Sequence, residues 1–324
     1  MKHFVRSAAV AAAFVMSVET AMAQTTWDMP TPYPDGNFHT QTVIQFGKDI
    51  EAATGGAIKI TVHSAGSLFK HAEIKNAVRD GLAPIGEALL SRYSNDNPVY
   101  GFDSIPFLAT SYDDARKLYT AQKPFLEKAF EAEGLMLLYS VPWPPQGIYA
   151  KREINSVNDM KGLKFRAYNS TTSRIAELAG AAPVQIEVPD LPTAFATGRV
   201  DVMMTSASTG VRTKAEEYLT HYYDTQAWLP RNGVFINKST FDALPDDQKK
   251  AVLDAAAAAE ERGWAASIEE KEVKTQALKD AGIIVQPPSA ELQSGLKDIG
   301  KTLASEWAAS AGDTGAALLS AYGN

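Results

Sequence analysis

The chain has 324 residues, a formal net charge of −7 at pH 7, 45% hydrophobic residues and no cysteine. An acidic chain without a Lys/Arg run offers no basic face, which argues against a nucleic-acid partner. The absence of cysteine excludes disulfides, thiol nucleophiles and Cys-type metal sites, so core burial must stabilise the fold. The length suits one large domain or two lobes.

The first 23 residues have the three parts of a secretory signal peptide. Lys2 and Arg6 form a basic region, residues 8–18 are an apolar run, and residues 21–23 (AMA) are a small-x-small cleavage site. The apolar run is too short to cross a bilayer as a retained helix, and no later stretch reaches the roughly 18 apolar residues that a span needs. We therefore expect export and cleavage after Ala23; a buried N-terminal helix is the alternative.

Two stretches of the mature chain have the pattern of β-α-β units, in which an apolar strand is followed by an amphipathic helix and another strand. Such units normally build a parallel sheet. Aligning residues 77–87 with residues 194–204 places Gly81 on Gly198, so we predict two α/β lobes. The predicted elements are strands at 57–68, 82–90, 162–168, 183–188 and 199–206, and helices at 70–81, 171–181 and 190–198.

Two proline-containing segments, residues 140–151 and 224–238, are typical of extended crossovers. Proline fixes its own φ and biases the preceding residue towards extended geometry. Two crossings between lobes would form a hinge around a cleft. We expect lobe I to comprise residues 24–149 plus about 235–275, and lobe II residues 150–234 plus about 276–324.

Pro245 and the two aspartates after it predict a helix start. An Ala-, Glu-, Lys- and Gln-rich run follows and stops before Gly282. Counted from Pro245, the 37 residues would span roughly 55 Å. Because one lobe of this size needs less, we expect one helix along both lobes; two helices broken at Gly263 are the alternative. A short strand at 283–288 and an amphipathic helical pair at 289–321 complete the chain.

Motifs of catalysis are largely missing. The sequence contains no G-x-S-x-G elbow, H-E-x-x-H helix, Walker loop or G-x-G-x-x-G, and its five histidines show no ligand spacing. Ser67 and Lys70 match the S-x-x-K signature of some exported serine hydrolases, but the companion motifs S-D-N and K-T-G are not present. We therefore expect a protein that is not an enzyme and has no cofactor or metal, and keep the hydrolase as an alternative.

Arg166 is the strongest candidate for binding. It lies near the carboxyl end of the strand predicted at 162–168, and ligands of open α/β sheets collect beyond the carboxyl ends of strands. The planar guanidinium suits a carboxylate, with charge-assisted hydrogen bonds worth about 1.5–3 kcal/mol each. A surface ion pair with Glu187 or Asp201 is the alternative, and spacing alone does not choose between the two.

Several longer stretches carry a family resemblance. They are GGAIKITVHSAGSL (55–68), AVRDG (77–81), SIPFL (104–108), DMKGLKFRAYNS (159–170), GAAPVQIEV (180–188), FATGRVDV (195–202) and VFINKSTFDALPDDQKKAVLDAA (234–256). With these, the chain resembles the extracytoplasmic solute-binding subunit of tripartite ATP-independent periplasmic (TRAP) transporters, of the DctP type. The resemblance implies a two-lobed α/β periplasmic binding protein with a hinged cleft and a long helix spanning both lobes. It also implies a periplasmic receptor, not itself membrane-spanning, that delivers its ligand to TRAP membrane subunits.

The resemblance further implies that Arg166 grips a ligand carboxylate and that Glu87 supplies a second polar contact. This chain departs from the family at two places. Where relatives often have Glu-Asn-Pro, the sequence reads Met204, Thr205 and Ser206.

The second departure is Gln146, which lies in a segment where many relatives carry an arginine. These changes remove charge, which argues against a sugar acid and favours a small monocarboxylate with an apolar or aromatic body.

Further candidates are placed by position alone. Trp143, Trp228 and Met204 are candidate walls, with core packing as the alternative. A metal bridged by Glu87 and Gln146, and a receptor that serves a different transporter or a sensor, also stay open. Polar candidates at strand ends or in the second crossover are Tyr168, Asn169, Thr205, Ser206 and Asn232.

Overall fold

The computed structural model describes residues 24–323, so the predicted signal peptide and its cleavage site lie outside the described residues. The strands are β1 (Thr25–Pro30), β2 (Ile58–His63), β3 (Ile85–Leu89), β4 (Leu135–Pro142), β5 (Gln146–Ala150), β6 (Lys164–Ala167), β7 (Ala182–Gln185), β8 (Val202–Ser206), β9 (His221–Tyr223), β10 (Arg231–Asn237) and β11 (Ile284–Gln286). The helices are α1 (Phe38–Ala53), α2 (Ile74–Arg79), α3 (Tyr112–Ala132), α4 (Ser170–Leu178), α5 (Leu191–Ala196), α6 (Ala207–Arg212), α7 (Lys238–Asp242), α8 (Asp246–Asp280) and α9 (Ala290–Tyr322). Among these residues no helix combines the length and the apolarity needed to cross a bilayer.

The sheets define two lobes, as predicted. Lobe I is built on the parallel pair β1-β2 and the antiparallel sheet β3-β10-β4. Lobe II is built on a six-stranded sheet of order β11-β9-β5-β8-β6-β7. The exact lobe boundaries stay a prediction; β5 begins at Gln146 and β10 at Arg231, slightly before the boundaries expected at 149 and 235.

The two β-α-β units behave differently. In lobe II, β6 pairs in parallel with both β7 and β8, as the pattern predicts. In lobe I the expected parallel pairing of the strands around α2 is wrong, because β2 pairs with β1 and β3 pairs with β10 in an antiparallel register. Strand β10 comes from the second crossover, far along the chain, and its seven residues are all buried between β3 and β4.

Helix α8 is one continuous helix that packs on α1 and β4 in lobe I and on α6 and β11 in lobe II. Its 35 residues make it about 53 Å long. Asp246 and Asp247 lie in its first turn, where carboxylates interact favourably with the helix dipole. The alternative of a break at Gly263 is wrong. A glycine is needed there because a Cβ would collide with Val141 of β4.

The predicted helical pair at the C terminus corresponds to α9, whose backbone is non-helical at Gly312. Helix α9 packs on α3 in lobe I and on α4 in lobe II, so it is a second element that contacts both lobes. The cleft between the lobes is therefore spanned by two crossovers and two helices.

Candidate ligand-binding site

Arg166 lies on β6, between β7 and β8, and its side chain is 2% exposed. Its Nε donates to the carbonyl of Ile186 at 2.9 Å, and its guanidinium carbon is 4.8 Å from the centroid of the Tyr168 ring. Burial lowers the pKa of Arg166 to about 10. The guanidinium therefore stays charged at neutral pH inside the protein.

This buried charge has no carboxylate in direct contact among the described residues: none of their carboxylate oxygens lies within 4.0 Å of the guanidinium. Both alternative partners are engaged elsewhere. Asp201 accepts the backbone N–H of Lys164 at 3.0 Å. Glu187 pairs with Arg92 at 2.6 Å and contacts His71 at 3.3 Å. The surface ion pair considered as an alternative therefore does not form.

Arg166 faces a cavity between the lobes, where about 380 Å³ of space is free of protein atoms, part of it open to solvent. Strand β6 brings Arg166 to the cavity from lobe II, and the two crossovers close its sides. Five of the candidates from the sequence line it, namely Arg166, Gln146, Trp143, Tyr168 and Thr205. Seven lining residues were not predicted, namely Tyr33, His71, Leu89, Glu187, Val188, Thr209 and Pro230.

Four further candidates lie outside the cavity wall, for local reasons. Successive residues of a strand point to opposite faces, so with Thr205 at the cavity, Met204 points into the core. Asn169 accepts the N–H of Thr172 and caps α4, while Ser206 caps α6. These two side chains satisfy helix termini, and Trp228 is fully buried in the core.

Glu87 and Asn232 form a layer behind the cavity wall. Glu87 is 1% exposed and accepts hydrogen bonds from Thr31 Oγ1 and Asn232 Nδ2. Burial raises the pKa of Glu87 to about 7, against the opposing effect of those two hydrogen bonds. Asn232 Oδ1 in turn accepts from Trp143 Nε1 at 2.9 Å and from the Tyr33 hydroxyl at 3.3 Å. Glu87 therefore fixes two rings of the wall instead of lining the cavity itself.

Polar groups of the wall are also cross-linked. The Tyr168 hydroxyl donates to Gln146 Oε1 at 3.0 Å, and Gln146 Nε2 donates to the Pro144 carbonyl at 2.9 Å. The rings of Tyr33 and Trp143 meet edge to face with centroids 5.0 Å apart. Gln146 lines the cavity and Glu87 does not, and a metal bridged by these two stays an open alternative.

The lobes touch directly beside the cavity. The turn after β3 in lobe I carries Ser91 and Arg92. Ser91 Oγ accepts from Asn169 Nδ2 at 2.9 Å, and Arg92 Nη1 donates to the Tyr168 carbonyl at 2.7 Å. Arg92 Nη2 also donates to Glu187 at 2.6 Å. Lobe I thus holds the end of β6, next to Arg166, in a closed arrangement.

Ser67 and Lys70 do not form a catalytic pair in the structure. Both side chains are exposed, and Lys70 Nζ donates to the Gly66 carbonyl at 3.4 Å instead of contacting Ser67. A serine without a base in contact is not an activated nucleophile. The hydrolase alternative has no support in this geometry.

Two α/β lobes that close on a buried, unpaired arginine are the architecture of a solute receptor for an anionic small molecule. The family model DctP, described as "Bacterial extracellular solute-binding protein, family 7", matches residues 31–310. The chain belongs to this family, and the resemblance to TRAP solute-binding subunits is confirmed.

Solved structures and curated relatives agree with this assignment. One is DctP6, described as "a Bordetella pertussis extracytoplasmic solute receptor binding pyroglutamic acid". Its structure is 50% identical in sequence to this chain and superposes with a TM-score of 0.91, and the match covers 92% of this chain and 99% of that chain. A TRAP solute-binding protein from a marine metagenome (an unidentified microbe), described as specific for pyroglutamate and solved with co-purified pyroglutamate, is 42% identical with a TM-score of 0.91, covering 93% and 99%. A "Solute-binding protein" of Albidiferax ferrireducens is 26% identical over 226 residues, which are 68% of this chain and 66% of that protein.

Proposed function

We propose that this protein is a periplasmic receptor that captures pyroglutamate in the cleft between its lobes. The observation that carries the proposal is the buried Arg166 guanidinium, which faces the cavity without a carboxylate partner among the described residues. The 50% and 42% identical structures of pyroglutamate receptors support the ligand. Pyroglutamate is a five-membered lactam with one carboxylate, so it agrees with the expected small monocarboxylate, while its polar ring differs from the apolar or aromatic body that was expected.

Arg166 would donate two parallel hydrogen bonds to the carboxylate, and the rings of Tyr33, Trp143 and Tyr168 would pack around the lactam. The cavity is lined by both lobes, so a ligand in it contacts lobe I and lobe II together. Such a ligand binds the closed arrangement better than an open one and shifts the equilibrium towards closure.

The cellular context is part of the same proposal. We propose that the signal peptide is cleaved after Ala23 and that the loaded protein delivers its ligand to TRAP membrane subunits. The basic, apolar and small-residue regions of residues 1–23 support export. Mass spectrometry of the protein from a periplasmic extract should give a chain beginning at Gln24.

A thermal-shift screen tests the ligand. A ligand that binds only the folded protein stabilises it by RT ln(1 + [L]/Kd), so pyroglutamate at about 100 times its Kd should add about 2.7 kcal/mol. We expect a clear rise of Tm with pyroglutamate and little change with glucuronate, succinate or benzoate at the same concentration. A rise with glucuronate or succinate and none with pyroglutamate would overturn the proposal.

A further inference from the structure

Two charged side chains of opposite sign line the ligand cavity. Arg166 is one, and Glu187 is the single carboxylate among the lining residues. They are more than 4.0 Å apart, so they do not neutralise each other by direct contact. A carboxylic acid held by Arg166 therefore binds in a cavity that also contains a fixed negative acceptor.

Glu187 is held in its ionised form by two groups from lobe I. Arg92 Nη2 donates to one carboxylate oxygen at 2.6 Å, and His71 Nδ1 lies 3.3 Å from the other. The backbone N–H of Leu89 donates to His71 Nε2 at 3.2 Å, so Nε2 carries no proton and Nδ1 must carry it. His71 is therefore a neutral donor towards Glu187. Burial would raise the pKa of Glu187, but the hydrogen bond from His71 and the charges of Arg92 and Arg166 hold it below its usual value.

The carboxylate of Glu187 keeps acceptor capacity. Two carboxylate oxygens offer about four lone-pair sites, and the described residues use one on each oxygen. The side chain is 34% exposed although its charge is paired. The other side-chain acceptors of the wall, among them Gln146 Oε1 and the hydroxyls of Thr205 and Thr209, carry no charge. Gln146 Oε1 already accepts from Tyr168. A ligand N–H near the carboxylate thus has Glu187 as its strongest acceptor in the cavity.

We infer that Glu187 determines specificity by accepting a hydrogen bond from a ligand N–H, so that the receptor selects carboxylic acids bearing an N–H and rejects oxygen analogues. The inference rests on the proposed function and deepens it, since a lactam acid carries such an N–H. In an analogue with a ring oxygen in place of nitrogen, that ring oxygen would face the Glu187 carboxylate. Both are hydrogen-bond acceptors, so no hydrogen bond forms between them. A site built around a hydrogen bond discriminates strongly against an analogue that cannot make it.

The test compares pyroglutamate with its lactone analogue, 5-oxotetrahydrofuran-2-carboxylate, by isothermal titration calorimetry. We expect wild-type protein to bind the lactam at least about 100-fold more tightly than the lactone. In Glu187→Gln the carboxamide N–H can donate to the ring oxygen of the lactone. The carboxamide oxygen can accept from the lactam N–H equally readily. We expect that variant to bind pyroglutamate more weakly, the lactone more tightly, and to lose most of the preference.

Arg92→Ala is the matched control, because it removes the contact between Arg92 and Glu187 by changing the lobe I residue and leaves the Glu187 carboxylate in place. It should weaken both ligands by a similar factor and keep the preference. If Glu187 acts only as a link to Arg92, Glu187→Gln will behave in the same way, and the inference is overturned. A wild-type protein that binds both compounds equally overturns it while leaving the proposed function intact. A wild-type protein that binds neither removes the proposed function and the inference with it.

Discussion

Arg166 and Arg231 are the two arginines whose side chains are almost fully buried among the described residues, with 2% and 0% exposed. Each guanidinium carbon lies 4.8 Å from a tyrosine ring centroid, and burial lowers the pKa of both. They differ in counter-charge. Arg231 Nη2 is 3.6 Å from Asp103, which also accepts the Arg231 backbone N–H at 2.9 Å. Arg166 has no carboxylate in contact among residues 24–323.

The same residue type, equally buried, therefore serves two purposes. The charge of Arg231 is compensated within lobe I by Asp103, and its Nη2 also donates to Gln122 Oε1. Its Nε and Nη1 have no hydrogen-bond partner among the described residues. Arg166 keeps an expensive buried charge unpaired, which is destabilising unless a ligand supplies the anion. The comparison teaches that burial of an arginine does not identify a binding site; the missing partner does.

The largest effect that sharpens this comparison is expected for Arg231→Met. Removing one partner of a buried pair leaves Asp103 charged and unpaired, which should cost about 3–5 kcal/mol of unfolding free energy. Urea unfolding measures it. Adding Asp103→Asn to the variant removes the charge and keeps an oxygen that accepts the backbone N–H of residue 231, so it should restore most of the loss. The folded variant should bind ligand with wild-type affinity. A loss of affinity without a loss of stability would place Arg231 in the binding site and contradict the comparison.

A second prediction concerns Glu87, a buried carboxylate whose Oε1 lies 3.6 Å from Nδ1 of His39, a histidine whose own pKa burial lowers. The pKa of Glu87 is raised from 4.5 to about 7 on folding. Between these two pH values the folded protein keeps the proton on Glu87 and the unfolded chain has lost it. The contribution is therefore stabilising below about pH 4.5 and is lost as the pH rises to about 7. The loss amounts to about 3 kcal/mol.

Glu87→Gln isolates this effect, because the amide does not titrate. The stability of wild type relative to Glu87→Gln should fall between pH 4.5 and 7 and stay constant above that range. The stability of the variant is subtracted from that of wild type at each pH, because other groups also titrate in this range. Burial lowers the pKa of His39 and His71, and this makes stability rise with pH over part of the range. A difference that does not vary with pH would show that Glu87 keeps an ordinary pKa.

The smallest effect is expected for Asp201→Asn, which alters the other carboxylate considered as a partner of Arg166. Asp201 accepts the backbone N–H of Lys164 and does not line the cavity. The amide oxygen can still accept that hydrogen bond, so stability should change by less than about 0.5 kcal/mol. Ligand affinity, measured by calorimetry, should change less than twofold. A large loss of affinity would mean that Asp201 reaches the ligand after all.

Local patterns predicted much of the fold. The start signal and the composition of α8, and the strand-helix-strand order around Arg166, depend on neighbours in sequence, and both elements are present. The pairing of β3 with β10 was missed because β10 lies far along the chain. A break at Gly263 was an open alternative because the sequence does not show why a glycine lies inside the helix. The close packing of Gly263 on Val141 in the folded protein explains it.

The site divides in a similar way. Arg166 was identifiable from its strand end and from the family resemblance. The contact between His71 and Glu187 joins residues 116 positions apart, and no periodicity reveals such a pair. On β8 the sequence indicated a segment without showing which face meets the cavity, so Met204 was predicted as a wall and Thr205 as a further polar candidate. Successive side chains of a strand point to opposite faces, so a shift of one residue along β8 separates a side chain in the core from one that lines the cavity.

The most direct test of the central claim is isothermal titration calorimetry of pyroglutamate against wild type and Arg166→Ala. Truncating one partner of a buried, hydrogen-bonded charge pair costs about 2–5 kcal/mol, so affinity should fall at least about 30-fold. The ligand-free variant should be as stable as wild type or more so, because an unpaired buried charge is gone. Affinity within a few-fold of wild type in a folded Arg166→Ala protein would contradict the claim that Arg166 holds the ligand carboxylate.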